Sequence, residues 1–442
     1  MRIATSMIYR RGIKWMSDHQ KGMAKAQEQI SSGRKILKSS DDPTNSARLM
    51  ELNKQIQLNQ QYSRNIIFAN GRQGIEEVAI QDSVDVLQRT RELTIQAKNA
   101  ALTSENRQSI SLEIKQLREQ LMANANAKDS DGAYLFAGFK EQSQPFTTGA
   151  DGSIIYNGDQ GQRSLQVGPS RQVPVGDAGD SVFMLIRNGN GQFRTELHAN
   201  NKGNATISVG SVTDPTAFQD QFMTGNYPYT IEFTVTPRTP NTTTDPNNPP
   251  PAAKIEYTVR DANNVSVQTG EYSPPEDKYY DESYPGKTIS FRGIEVAIEG
   301  MPYDPDPLVS GDGDKFIIKP AENQSIFKTM DNLVDALGNA VRQKTDIAAL
   351  NQGLDQSLAD IDQALLNLNQ VRGRIGSRMN SLDAQEEVNQ SLDLQLRNLQ
   401  SDIGSTDIAE AASNLSQELL ALQASQQSFV KIQGLSLFNY LK

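Results

Sequence analysis

Apolar residues recur every seven positions at both ends of this chain. Near the C-terminus Ile408, Leu415, Leu422 and Phe429 form such a row, with Ala412 and Leu419 four residues after Ile408 and Leu415. An a/d stripe without proline predicts an amphipathic helix whose N-terminus is capped by Asp407, with Glu410 three residues on. Near the N-terminus Tyr9, Met16, Met23, Ile30 and Leu37 repeat the same period, flanked by Ile13 and Ala26. Each helix has a narrow seam and polar remaining faces, so neither is stable alone in water. The shared period predicts that the two ends of the chain pair.

Between them the pattern changes twice. Pro43 after Asp42 reads as a helix start, and heptads resume through Leu49, Leu52, Ile56, Ile66, Ile80, Val84 and Leu87. Asn59, Ser63, Asn70 and Gln73 interrupt that seam. Thr103-Ser104 opens a further helix that closes at the turn cluster Asp129-Ser130-Asp131-Gly132. Short β-rich runs follow, at Ser153–Tyr156, Ser181–Ile186, Ala205–Val209, Tyr229–Thr236, Ile255–Val259, Thr288–Phe291, Ile294–Ile298 and Phe316–Ile318. Pro237–Pro251 and Tyr272–Pro285 read as long mobile loops. Helical periodicity returns at Ser325 and predicts a rod to Ile403, with close packing or a bend at Gly373 and Gly376.

The fold class expected is α + β and multidomain, with paired terminal helices forming a coiled-coil stalk and an inserted, mostly β head. Three parts are expected: residues 1–41 with 402–442 as a terminal coiled coil, 42–140 with 321–401 as a helical rod, and 141–320 as the β-rich insertion.

Charge sharpens this division. The first 40 residues carry nine Lys/Arg against two Asp/Glu, whereas 402–442 carry two against four. Eighteen of the 19 prolines lie in 141–320, where 23 acidic residues face 13 basic ones. That excess equals the net charge of −10 for the whole chain.

Absent chemistry narrows the function. There is no cysteine, which excludes disulfides, zinc–thiolate sites and cysteine nucleophiles, and only His19 and His198 offer imidazoles. No phosphate-binding glycine loop, nucleophile elbow or paired catalytic motif is found, so no enzyme activity and no cofactor are expected. The basic N-terminal segment lacks the interleaved aromatics of a nucleic-acid footprint. Asp304, Asp306, Asp312 and Asp314 lack the spacing and closing glutamate of a calcium loop, and no metal is expected. No run has the ~20 apolar residues of a membrane span, nor does the start have a signal-peptide core. Export by a route without a cleaved signal, or a cytoplasmic location, is the expectation.

Three stretches carry a family resemblance. Gln29-Ile30-Ser31-Ser32-Gly33-Arg34-Lys35-Ile36 with Asp41-Asp42-Pro43 resembles the flagellin N-terminal signature. Asp131-Gly132-Ala133-Tyr134-Leu135-Phe136-Ala137-Gly138 resembles the end of the N-terminal helical part in the hook-associated protein 3 family. Gly404 to Ala411, Leu415-Ser416 and Leu435 to Leu441 resemble that family's C-terminus, while Tyr156-Asn157-Gly158-Asp159 and Gly313-Asp314-Lys315-Phe316 fit its β-region borders. The resemblance marks Ser31, Ser32, Gly33, Asp41, Asp42, Pro43, Tyr134, Phe136 and Gly138 as family positions.

It implies an extracellular axial protein of the bacterial flagellum at the hook–filament junction, exported unfolded by the flagellar type III apparatus after capture by a cytoplasmic chaperone. Implied partners are further copies of the chain in a ring or helical layer, the first hook-associated protein, and flagellin. Nucleic acid and membrane insertion are not implied. The seam residues Tyr9, Met16, Met23, Ile30, Leu37, Ile408, Leu415, Leu419, Leu422 and Phe429 are the expected assembly surface, disordered before export and ordered on assembly. Two other readings stay open, a flagellin forming the filament itself and a coiled-coil adhesin with a β head.

Overall fold

The computed structural model describes residues 2–223, 225–236, 254–273, 286–302, 311–338 and 344–434. Both segments expected as mobile loops fall largely outside these residues, as do Asp304, Asp306 and the Leu435–Leu441 stretch. Helices from the two ends of the chain flank a central region of antiparallel β-sheet. In chain order the helices are α1 (Arg2–Ser32), α2 (Pro43–Ala97), α3 (Ser104–Ala125), α4 (Pro215–Met223), α5 (Ile326–Gly338), α6 (Lys344–Gly404) and α7 (Ile408–Gly434).

Two compact units emerge. The first comprises residues 1–68, 166–172 and 381–442. Within it, α1 packs on α7, and the start of α2 on the end of α6 through Leu52, Ile56 and Leu396. The polar residues that interrupt the α2 seam are matched by polar partners. Asn59 donates to the Asn389 carbonyl at 2.7 Å, and the Asn389 amide donates to the Val167 carbonyl at 3.0 Å.

The second unit comprises 69–165 and 173–380 and holds two cores. One lies among the helices, where Ile80, Leu87, Ile114, Leu121, Leu333, Leu354 and Leu368 close around the aromatic group Phe136, Phe146, Phe183 and Phe327. The other lies in the β head. Its five-stranded antiparallel sheet runs Ser266–Tyr272, Lys254–Arg260, Tyr229–Thr236, Gly311–Pro320, Phe193–Leu197. Alternation in the central strand buries Tyr229, Ile231, Phe233 and Val235 on one face. They pack with Ile289, Ile294, Val296 and Ile298 of a smaller sheet.

Several elements differ from expectation. Of Ser181–Ile186 only Ile186 enters a strand, Ile186–Arg187: Asp180–Met184 is one turn of π-helix that buries Val182 and Phe183 in the helical core. The helix expected from Ser325 to Ile403 is two helices, α5 and α6, and α6 alone is 61 residues or about 90 Å long. Gly373 and Gly376 sit within α6, where an added Cβ would meet nothing within 4 Å, so neither marks close packing inside the chain. The strands Phe193–Leu197 and Ser266–Tyr272 and helix α4 are additions to the sequence reading.

Candidate assembly surface

The turn between α1 and α2 is built by its own side chains. Ser32 Oγ donates to the Glu28 carbonyl at 2.6 Å and Ser31 Oγ to the same oxygen at 3.1 Å. Gly33 then takes a left-handed φ of +68°, which ends α1 at the position where glycine is favoured. Asp42 caps α2 by accepting from the Asn45 backbone N–H at 3.0 Å, ahead of Pro43 in the first turn. That hydrogen bond, with the Asn45 side chain next, holds the Asp42 carboxyl below its ordinary pKa. Asp41 accepts from the Lys38 N–H and faces Lys25 at 3.5 Å.

This turn is tied to the entry of α7. The Lys35 N–H donates to the Gly404 carbonyl at 2.8 Å, and the Thr406 N–H to the Gly33 carbonyl at 3.0 Å. Asp407 caps α7 through the N–H groups of Ala409 (2.8 Å) and Glu410 (3.1 Å). From there α7 runs antiparallel along α1. His19 Nδ1 and Glu418 Oε2 meet at 2.7 Å, and Tyr9 meets Phe429 further along. The two chain ends do pair.

The seam of α7 keeps Leu415, Leu422 and Phe429 of the expected row and replaces its other members. The residues turned toward α1 are Ala411, Leu415, Glu418, Leu422, Ser425 and Phe429, at alternating spacings of four and three. Ile408 and Leu419, expected in the seam, are 62% and 41% exposed. With Ala412 and Val430 they form a second apolar stripe on a neighbouring face. The sequence merges the two stripes because both are apolar and share Leu415 and Leu422 as near neighbours. On α1, Tyr9, Met16, Met23 and Ile30 are half-buried and Ala26 is buried, as the heptad requires, whereas Ile13 is exposed. Leu37 belongs to no seam, since α1 has ended at Ser32. Ile8, Arg11, Trp15, Ala424 and Ser428 border a groove of about 320 Å³ beside the α1–α7 contact.

The Tyr134–Gly138 stretch serves a different purpose, fastening the loops after α3 to the helices. Asp129 Oδ1 accepts from the N–H groups of Asp131 (3.0 Å) and Ala133 (2.9 Å), while its Oδ2 meets Arg72 of α2 at 2.8 Å. Leu135, Phe136 and Ala137 are buried, and Phe136 packs edge-on against Phe183 with centroids 5.2 Å apart. Tyr156 Oη donates toward the carbonyls of Phe136 (2.9 Å) and Asp159 (2.8 Å). Burial, reinforced by the Asp180 charge, pushes that phenol up to about 12. Gly138, at φ +70°, is required: a Cβ there would stand 2.4 Å from the Asp159 carbonyl oxygen. The Tyr134 ring carries Lys128 Nζ at 4.5 Å from its centroid.

A set of head anchors was not read from the sequence. Gln352, Gln356 and Asp360 stand four apart on α6, so they share one face. Gln352 Oε1 accepts from the Ile207 N–H at 2.9 Å, Gln356 Nε2 donates to the Thr195 carbonyl, and Asp360 accepts from the Gly189 N–H at 2.6 Å. Burial pushes the Asp360 carboxyl above its ordinary range. A row of Gln, Gln and Asp at four-residue spacing, opposite the leucine face of α6, was the available signal.

Comparison with known proteins sets these features in a family. The bacterial flagellin N-terminal helical region matches residues 3–141, and the bacterial flagellin C-terminal helical region matches 358–441. Flagellar hook-associated protein 3 of Salmonella typhimurium is 30% identical over 186 residues, or 42% of this chain. The chain spans 58% of the length of that curated relative. The solved structure of flagellar hook-associated protein-3 from Legionella pneumophila is 30% identical, with a TM-score of 0.65, and is covered over 98% of its length and 80% of this chain.

The chain belongs to the flagellar hook-associated protein 3 family. A second Legionella pneumophila structure, described as the flagellar junction protein FlgL, is 28% identical with a TM-score of 0.63, over 82% of this chain and all of that one. On this hook-associated protein 3 family member, the flagellin matches take in α1, α2, α3, the Tyr134–Gly138 fastening and α7. The strands of the head lie outside both.

Proposed function

We propose that the chain is a structural axial protein of the bacterial flagellum, laid down at the hook–filament junction as the layer on which flagellin polymerises. Family membership supports the flagellar role. The observation that carries the assembly mechanism is the second apolar stripe of α7. Ile408, Leu419 and Val430 are exposed although they repeat in helical register, and only Ala26, Ala411 and Leu422 are buried apolar residues among the described side chains of α1 and α7. A pair with so thin an interior is marginal alone and gains its order when neighbours cover the spare stripe.

In this reading residues 1–41 with 402–442 line the inner tube, 42–140 with 321–401 form the rod, and 141–320 stand outside. Neighbouring copies bear on the stripe, with the first hook-associated protein on one side of the layer and flagellin on the other. A chaperone and the flagellar type III apparatus handle the chain before export, while its terminal helices are unpaired. The role is structural and assigns no catalytic residue.

The double substitution Ile408→Asp with Leu419→Asp tests this directly. Both positions are exposed, so the variant should retain the wild-type circular dichroism and unfolding midpoint. Cells carrying it should grow hooks, fail to grow filaments and shed flagellin into the medium. Normal filaments from that variant would overturn the mechanism.

A further inference from the structure

At the fastening between loops and helices lies a buried acid that the family role does not use. Gln73 and Glu76 are both fully buried, three residues apart and so neighbours on one face of α2. Together they hold one segment of chain. Gln73 Nε2 donates to the Pro174 carbonyl at 3.3 Å, and Glu76 Oε1 accepts from the Asp177 N–H at 2.9 Å. That leaves Gln73 Oε1 and Glu76 Oε2 as buried acceptors without a hydrogen-bond partner among the described residues. A buried carboxylate oxygen with no donor is costly, and a proton on the Glu76 carboxyl removes that cost.

Charge counting gives the same answer. Three arginines surround the site. Arg378 of α6 pairs with both Asp177 oxygens at 2.9 Å, Arg72 of α2 with Asp129 and Glu141 at 2.8 Å each, and Arg163 with Glu141 at 3.1 Å. Asp177, Asp129 and Glu141 neutralise these three. An ionised Glu76 adds a fourth negative charge, facing Asp177 across their shared hydrogen bond. A buried charge in surplus is costly, and the group gives it up by binding a proton.

We infer that Glu76 holds a proton in the folded rod at neutral pH, and that this proton makes the grip of α2 on Pro174 and Asp177 a latch that alkaline pH opens. Burial first, then the Asp177 charge, push the Glu76 carboxyl up to about 8, in keeping with that geometry. Ionisation sets two carboxylates against each other, with Arg378 already committed to Asp177. The segment bearing Asp177 then leaves α2.

Two measurements on the full chain test the latch. In hydrogen exchange corrected for the intrinsic rate, protection of the Asp177 amide should be highest below pH 4.5. It should fall by up to about tenfold per pH unit between pH 4.5 and 8, where folded Glu76 keeps a proton that the opened state has released, and level off once folded Glu76 has ionised. Glu76→Gln, which keeps a donor without a charge, should abolish that dependence. Infrared spectra of wild type at pH 7 should contain a protonated-carboxyl band that disappears in alkali and is missing in Glu76→Gln. If that variant fails to fold, the wild-type band titrates on its own. Absence of the band at pH 7, or the same pH dependence of Asp177 protection in wild type and Glu76→Gln, would overturn the inference.

Discussion

Tyr9 and Phe429, near opposite ends of the chain, pack edge to face with ring centroids 5.0 Å apart and ring planes at 72°. Gly12 makes this contact possible, because a Cβ there would stand 3.0 Å from the Phe429 ring. The α1–α7 pair therefore depends on a few contacts strung along its length. Phe429→Ala removes the aromatic contact and part of the seam, a loss of about 2 kcal/mol. Since the pair is thin, that loss should separate α1 from α7. Circular dichroism should record reduced helicity, while exchange protection in the strand Tyr229–Thr236 stays at wild-type values. Leu422→Asp buries a charge in the same seam and should have the larger effect, blocking incorporation while the head remains folded.

Two glycines of the family signature should respond unequally to alanine. Both have left-handed φ angles, but a Cβ at Gly33 meets nothing within 4 Å, whereas at Gly138 it collides with the Asp159 backbone. Gly33→Ala should cost about 1 kcal/mol, the conformational penalty alone. Gly138→Ala adds overpacking against the backbone, for a total of about 2–4 kcal/mol. Denaturant titrations of the two variants should separate them by at least a twofold ratio of stability loss.

The head anchors predict a local effect. Gln352→Ala leaves the Ile207 N–H, buried in the smaller sheet, without its acceptor, at a cost of about 1–3 kcal/mol. Limited proteolysis should speed up within the head and remain unchanged in α2. Equal acceleration in both would show that Gln352 supports general stability rather than the joint.

Glu76 also sets a direction for stability against pH. Its folded value of about 8 lies above the ordinary 4.5, so the folded state binds the extra proton. Stability from this group is therefore highest below pH 4.5 and is lost as pH rises through the window from 4.5 to 8. At about 1.4 kcal/mol per unit the span amounts to several kcal/mol. Relative to wild type, Glu76→Gln should gain unfolding free energy on going from pH 5 to pH 9. A constant difference between the two proteins across that range would contradict this assignment.

Much of the fold was legible because it rests on local periodicity. The strand Tyr229–Thr236 alternates cleanly between core and surface and was read to the residue. Asp42-Pro43 and Thr103-Ser104 announce the starts of α2 and α3 by capping chemistry that needs no tertiary context. What stayed hidden depends on partners. Ser181–Ile186 has strand-like composition, yet its turn of π-helix is fixed by where Val182 and Phe183 reach the helical core. Ile408 and Leu422 are equivalent as residues, and only the position of α1 tells the seam from the spare stripe. Of the Gln73–Glu76 grip only Gln73 was visible, as a polar interruption of a heptad, because the chain the pair holds lies a hundred residues away.

The junction role is tested most directly by immunogold electron microscopy of intact flagellated cells, with antibodies raised against residues 160–312. Gold should be confined to one band where the hook meets the filament. Gold along the whole filament would contradict it and make the chain a flagellin, while absence of flagellar labelling would favour the adhesin reading.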